Sequence, residues 1–155
     1  MSGNIFNGID DELRKDAGCS GELDYIEQTS WILFLKYLDT LESKRETEAV
    51  LKGQPYTRIL QGKYRWDQWA VPKKNGAIDH SNAMTGDDLK EFVKDDLFPY
   101  LKSFGQRAES SNTIEYKIGE IFSELNNKCN EGYTLRSVLN LADGFKFDSS
   151  AHMHE

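Results

Sequence analysis

The sequence predicts an all-α protein, a compact bundle of about five or six helices with one long irregular loop rich in aromatic and basic residues. Three observations carry that class. Apolar residues recur at three- and four-residue spacing through most of the chain, and no segment makes a convincing strand pair. The 155 residues, 38% hydrophobic and 12% aromatic, suffice for one domain, 1–155, with a real core.

At 4–15, Ile5, Phe6, Ile9 and Leu13 are spaced as one face of a short amphipathic helix. Gly18 and Gly21 interrupt it, and Glu22 and Asp24 then open a second helix where carboxylates suit the positive end of the dipole. This helix, centred on 25–41 (YIEQTSWILFLKYLDTL), is the one the others must pack around. Leu23, Ile26, Leu33, Phe34, Tyr37 and Leu41 fall in one stripe, while Trp31, Ile32, Leu35 and Leu38 cover much of the remaining circumference. Lys36 breaks the apolar run after Leu35, which excludes a membrane span of roughly 20 residues. Beyond Leu41 the alternating charges of ESKRETEAVLKG predict a solvated continuation ending near Gly53.

From 54 to 78 the character changes. Pro55, Gly62, Pro72 and Gly76 prevent long regular structure, yet Tyr56, Ile59, Leu60, Tyr64, Trp66, Trp69 and Val71 carry too much apolar surface for a free linker. The segment also holds Arg58, Lys63, Arg65, Lys73 and Lys74 against Asp67, a local charge of plus 4 in a chain of minus 7, hence minus 11 elsewhere. For those five cations a phosphate-contacting, DNA-binding patch competes with an ordinary solvated loop, and the best local candidate is Lys73-Lys74, on an exposed turn tip formed by Asn75 and Gly76. Trp66 and Trp69 read as plugs that seat the loop on the bundle, rather than as platforms for exposed bases.

Helical signals return at Thr85, where TGDD has the form of a capping box with Asp in place of Glu, followed by Leu89, Phe92, Val93 and Leu97. Pro99 should end or kink that helix near Phe98. A polar linker over 105–111 leads to Ile114, Ile118, Ile121, Phe122 and Leu125, with Asn112 as cap and Glu115 as third residue. Gly132 should close this helix. Thr134 can cap the next, carrying Leu135, Val138, Leu139 and Ala142, and Gly144 stops it.

The net charge argues against indiscriminate nucleic-acid binding over the whole surface. Cys19 and Cys129 lack CxxC spacing, and no positively charged, apolar leader opens the sequence, so a cytoplasmic, reduced protein with structural thiols is expected. Several groups that resemble chemistry do not carry it. His152 and His154 with Glu155 offer too few ligands for zinc, and the pairs Asp87, Asp88 and Asp95, Asp96 fit exposed helical turns. Ser20 and Ser30 lack the GxSxG context or paired histidine of a nucleophile. No catalytic, cofactor-binding or metal residue is nominated.

The blocks DYIEQTSWILFLKYLDTLE, YRWDQWA, MTGDDLKEFVKDDLFPYLK and IGEIFSELNNKCNEGYTLRSVLNLADGFKFDSS, in that order, resemble the N-terminal domain of the M (modification) subunit of type I restriction-modification DNA methyltransferases. The likeness runs over essentially the whole chain. It implies a helical domain ahead of a site-specific adenine-N6 methyltransferase domain that uses S-adenosylmethionine. It also implies partners: a specificity (S) subunit, a second M subunit, a restriction (R) subunit and double-stranded DNA, with no membrane. The terminal HMHE would lead into the catalytic domain.

An N-P-P-[FY] motif, which holds a flipped adenine in such enzymes, is absent, as is a glycine-bearing turn after a strand to admit the methyl donor. The chain is therefore expected to be inactive alone, an excised domain or truncated product. The expected role is non-catalytic: complex assembly and enclosing or contacting DNA. Two alternatives stand beside it, a stand-alone helical protein-interaction module and an acidic mimic of DNA. The interleaving of 19 basic with 26 acidic residues weakens the mimic.

Overall fold

The computed structural model describes residues 2–147, with side chains from Ile5 onward. Among the described residues there are six α-helices: α1 Ser2–Arg14, α2 Glu22–Leu51, α3 Gly86–Glu91, α4 Phe98–Arg107, α5 Ile114–Phe122 and α6 Gly132–Asp143. A π-type segment, Phe92–Leu97, joins α3 to α4, so the helical run is continuous from Gly86 to Arg107. The all-α class holds. One small antiparallel hairpin, β1 Lys73–Lys74 with β2 Ala77–Ile78, corrects the expectation of no strand pair. His152, His154, Glu155 and the HMHE terminus lie outside the described residues.

The 30 residues of α2 extend about 45 Å and form the spine of the bundle. Its buried face is not the stripe through Leu23 and Ile26, which are 68% and 59% exposed, but the one through Gln28, Trp31, Ile32, Leu35, Leu38 and Glu42. Trp31 explains the choice. It has the largest surface to bury, it meets Phe98 edge-on at 5.0 Å, and its indole N–H donates to Gln28 Oε1 at 2.8 Å on the same face. The solvated extension ends where expected, with Lys52 as C-cap.

Pro99 does not end its helix. It sits at the start of α4, where its missing N–H is tolerated, and the widened i→i+5 turns before it accommodate the ring. Thr85 precedes α3 but its side chain makes no cap bond, so TGDD is not a working box. Gly105, expected in a linker, belongs to α4 because α4 and α5 cross there. A Cβ on Gly119 would lie 2.2 Å from the Gly105 nitrogen, so only backbone fits between the two helices.

The cap of α5 is Thr113 rather than Asn112: its hydroxyl accepts the Tyr116 N–H at 3.1 Å. Helix α5 stops at Phe122, well before Gly132, which instead begins α6. The Asn127 side chain bonds the Cys129 backbone in place of a helical partner, and Gln28, outside the helix, satisfies the Asn126 carbonyl and the Lys128 N–H. Thr134 is buried in the first turn of α6 instead of capping it, and Gly144 ends that helix as expected. Among the described residues no helix is long and apolar enough to cross a membrane.

Candidate nucleic-acid interface

The 54–78 loop is held by carboxylates on the outer half of α2. Glu42, only 2% exposed, accepts the backbone N–H groups of Ile59 and Leu60 and the Tyr56 hydroxyl. Arg58 bridges Asp39 at 3.2 Å and Glu46 at 3.1 Å and donates to Ser43 Oγ. Burial drives the Asp39 carboxyl above its usual range even though Arg58 opposes it. Burial also works against the charge of Arg58, but Glu46, Asp39 and Glu42 more than offset it.

The other end of the loop is tied to α6. The Trp66 indole donates to Asp143 Oδ1 at 2.9 Å, and Lys73 pairs with Asp143 Oδ2 at 2.8 Å. Burial acts to raise the Asp143 pKa, yet Lys73, Trp66 and Lys36 together hold it below the ordinary value. Arg136 donates to the carbonyls of Ala70 and Met84, binding the loop to the segment that leads into α3. Trp66 and Trp69 are buried as expected: they meet edge-on at 5.8 Å, and Trp69 lies against Phe92. Their faces are not available to bases. Tyr64 stacks on Tyr100 at 3.7 Å.

The five candidate cations differ in what they have left to offer. Arg58 is mostly buried in its carboxylate clamp. Lys63 is exposed and pairs with Asp96 at 3.5 Å, and Arg65 pairs with Asp67. Lys73 is half exposed and engaged by Asp143. Lys74 is exposed on the hairpin, next to a turn whose central residues Asn75 and Gly76 have φ of 56° and 82°. Positive φ at both positions matches the strand twist of a two-residue hairpin, which explains why Asn-Gly stands there.

A second irregular segment, 123–131, went unnoticed in the sequence. Asp16, 2% exposed, accepts the N–H groups of Gly18, Asn130 and Glu131 at 2.8, 2.7 and 3.0 Å. Burial alone would raise its pKa, but those three donors and the Thr134 hydroxyl lower it. Gln28, fully buried, donates to Asn126 O and accepts Lys128 N–H. Gly18 is required here, since a Cβ would stand 1.8 Å from the Lys128 carbonyl oxygen. Cys19 and Cys129 are both buried and reduced, and burial raises both thiol pKa values. Together this segment and the α3–α4 run enclose a pocket of about 310 Å³. Its cations lie up to 38 residues apart in sequence among many acids, so no local run signalled it.

Among the described residues no group of His, Cys, Asp and Glu is arranged to hold a metal. The only sheet among them is the hairpin, so the crevice at the strand ends in which a doubly wound domain holds such a cofactor has no counterpart there. S-adenosylmethionine does not fit these residues.

Fold and site thus define a helical module whose irregular loops are braced from within. The whole pattern matches a known family model, that of the HsdM N-terminal domain, over residues 2–141, and the chain belongs to that family. It is 34% identical over 151 residues to the type I restriction enzyme EcoEI methylase subunit of Escherichia coli, covering 97% of this chain and 28% of that protein. The crystal structure of a modification subunit assigned to a type I restriction enzyme of Vibrio vulnificus superposes with a TM-score of 0.82 at 34% identity, covering 98% of this chain and 32% of that one. A chain from a structure concerned with complex assembly and conformational transition of the type I restriction-modification system gives 0.71 at 29% identity, over 94% of this chain and 26% of the other. The chain therefore spans less than a third of the length of these relatives.

Proposed function

We propose that this chain serves as the non-catalytic N-terminal module of a type I adenine-N6 DNA methyltransferase subunit in the cytoplasm, helping the complex to assemble and close on duplex DNA. The observation that carries the reading is the family match over nearly the whole chain, together with its small share of each relative. Its partners are a specificity subunit, a second modification subunit, a restriction subunit and DNA. S-adenosylmethionine belongs to the catalytic domain of such a protein, where methyl transfer takes place. This domain contributes grip and no chemistry.

Within the 54–78 loop, Lys74 is the cation best placed to meet a phosphate, with Lys73, Lys63 and Arg65 behind it and Arg58 acting mainly as a brace. Deleting the domain from a full-length subunit tests the role. Assembly with the specificity subunit or DNA binding should weaken while the catalytic domain stays folded. Normal assembly and normal methylation by the shortened subunit would refute it.

The exposed Leu23 and Ile26 on α2 favour a second reading, a protein-interaction module without DNA contact. Sedimentation with purified specificity and modification subunits separates the two readings when paired with a duplex titration. Binding to subunits but not to DNA supports the second.

A further inference from the structure

We propose that the pocket between the α3–α4 run and the 123–131 segment is a seat for backbone phosphates of duplex DNA, and that this face, rather than the aromatic loop, is the one the domain turns toward DNA. The inference rests on the DNA role proposed above. Lys90, Lys94 and Lys102 line one wall of the pocket and Lys128 the other, and no carboxylate lines it. Lys94 and Lys102 make no ion pair among the described residues. Lys90 donates to Asn130 Oδ1 at 3.4 Å, and Lys128 pairs with Asp24 at 2.8 Å.

The three lysines meet because of the widened turns. On a uniform α-helix a repeat of four residues drifts by about 40° per step, since a turn holds 3.6 residues. The i→i+5 bonding of Phe92–Leu97 places more residues in each turn and counters that drift, bringing Lys90, Lys94 and Lys102 over one opening. Two residues from Lys94, Asp96 points to the opposite side and pairs with Lys63 of the aromatic loop. The pocket and that loop therefore occupy different faces of the run.

The chemistry is that of a phosphate. Lysines act as mobile point charges and fit a phosphate without demanding a planar, bidentate partner, whereas no arginine lines the pocket. Such contacts position a protein on DNA and do not read bases. The asparagine-rich wall is fixed in advance by Asp16 and Gln28, so binding need not order it. At about 310 Å³ the pocket is at the small end of ligand sites, enough for a phosphodiester group.

Anisotropy of a labelled duplex, titrated with the intact chain between about 50 and 200 mM salt, tests the proposal. The double variant Lys94→Gln, Lys102→Gln should bind more weakly and flatten the log–log salt slope by about 2, near one for each lost phosphate contact. Lys94→Arg with Lys102→Arg, which keeps both charges, should retain the slope and so separates charge from folding. If the glutamine variant binds as the parent does while Lys73→Glu with Lys74→Glu abolishes binding, the pocket is overturned and the DNA role of the domain survives. If the parent binds no duplex at any salt, both fall. Competition by polyglutamate as effective as by unlabelled duplex would also overturn the proposal, in favour of an acidic protein partner.

Discussion

The two irregular segments of this domain, 54–78 and 123–131, are built alike and charged differently. Each hangs on buried polar side chains of α2 or of the turn that precedes it: Glu42 receives the backbone of the first, Asp16 and Gln28 that of the second. The first segment is the more basic, yet most of its cations are turned inward or sideways onto carboxylates. The second holds a single lysine, which faces a pocket shared with three more. A segment's formal charge therefore says little about where usable charge lies. That depends on which acids the fold brings beside it.

Variants can test how far this parallel extends. The largest effect is expected for Gly18→Ala, which sets a Cβ against the Lys128 carbonyl with no rotamer to relieve it. A loss of about 3 kcal/mol or more in urea unfolding is expected. The counterpart in the aromatic loop, Gly62→Ala, meets no atom within 4 Å and strains only a φ of +60°, so about 1–2 kcal/mol should be lost. Equal losses would end the asymmetry.

Asp16→Ala removes the acceptor of three backbone N–H groups and should cost about 2–3 kcal/mol, with faster amide exchange at Asn130 and Glu131. Glu42→Ala should act on Ile59 and Leu60 instead, by about 2 kcal/mol. Exchange lost across both segments in either variant would show that they are one cooperative element.

Acid should separate the anchors further. Asp16 and Asp143 have depressed folded pKa values, so their contributions are complete above the unfolded carboxylate value of about 3.9 and vanish as pH falls through the folded values. Asp39 has a raised folded pKa, so its ionisation costs stability above that value, and acid removes the cost. As pH falls, Asp39 should therefore be protonated first, without loss of stability, and the amides at Asn130 and the Trp66 indole should lose protection only below about pH 4. The reverse order would contradict this assignment of anchors. The smallest effect is expected for Lys74→Glu, within about 0.5 kcal/mol by thermal unfolding, because the side chain is exposed and makes no hydrogen bond or ion pair among the described residues.

Apolar spacing was enough to locate α1, α2 and α6, and Asn75-Gly76 to locate an exposed tip. What it did not determine was the winning face of α2, because both stripes are apolar and the burial of Trp31, with Gln28 as its hydrogen-bond partner, decides between them. The end of α5 was misplaced because Gly132 looked like a stop, whereas it opens α6 pressed against the Gly86 backbone, and the segment before it is held by the distant Asp16 and Gln28. For the same reason the loop cations were visible as a composition, but their pairing with Asp39, Asp96 and Asp143 was not. The pocket lysines were hidden among the acids of α3 and the segment that follows. Long-range polar contacts of this kind leave no periodic trace in a sequence.

The widened turns at Phe92–Leu97 act as a phase adjustment between the two ends of one rod. Rewinding the same six residues as regular α-helix would turn everything downstream by close to one residue's step, about 100°. Lys102 would swing away from its neighbours, and the bare seam between Gly105 and Gly119 would be replaced by side chains that cannot interlock. The winding of that short stretch is thus as strictly specified as the identity of any residue within it.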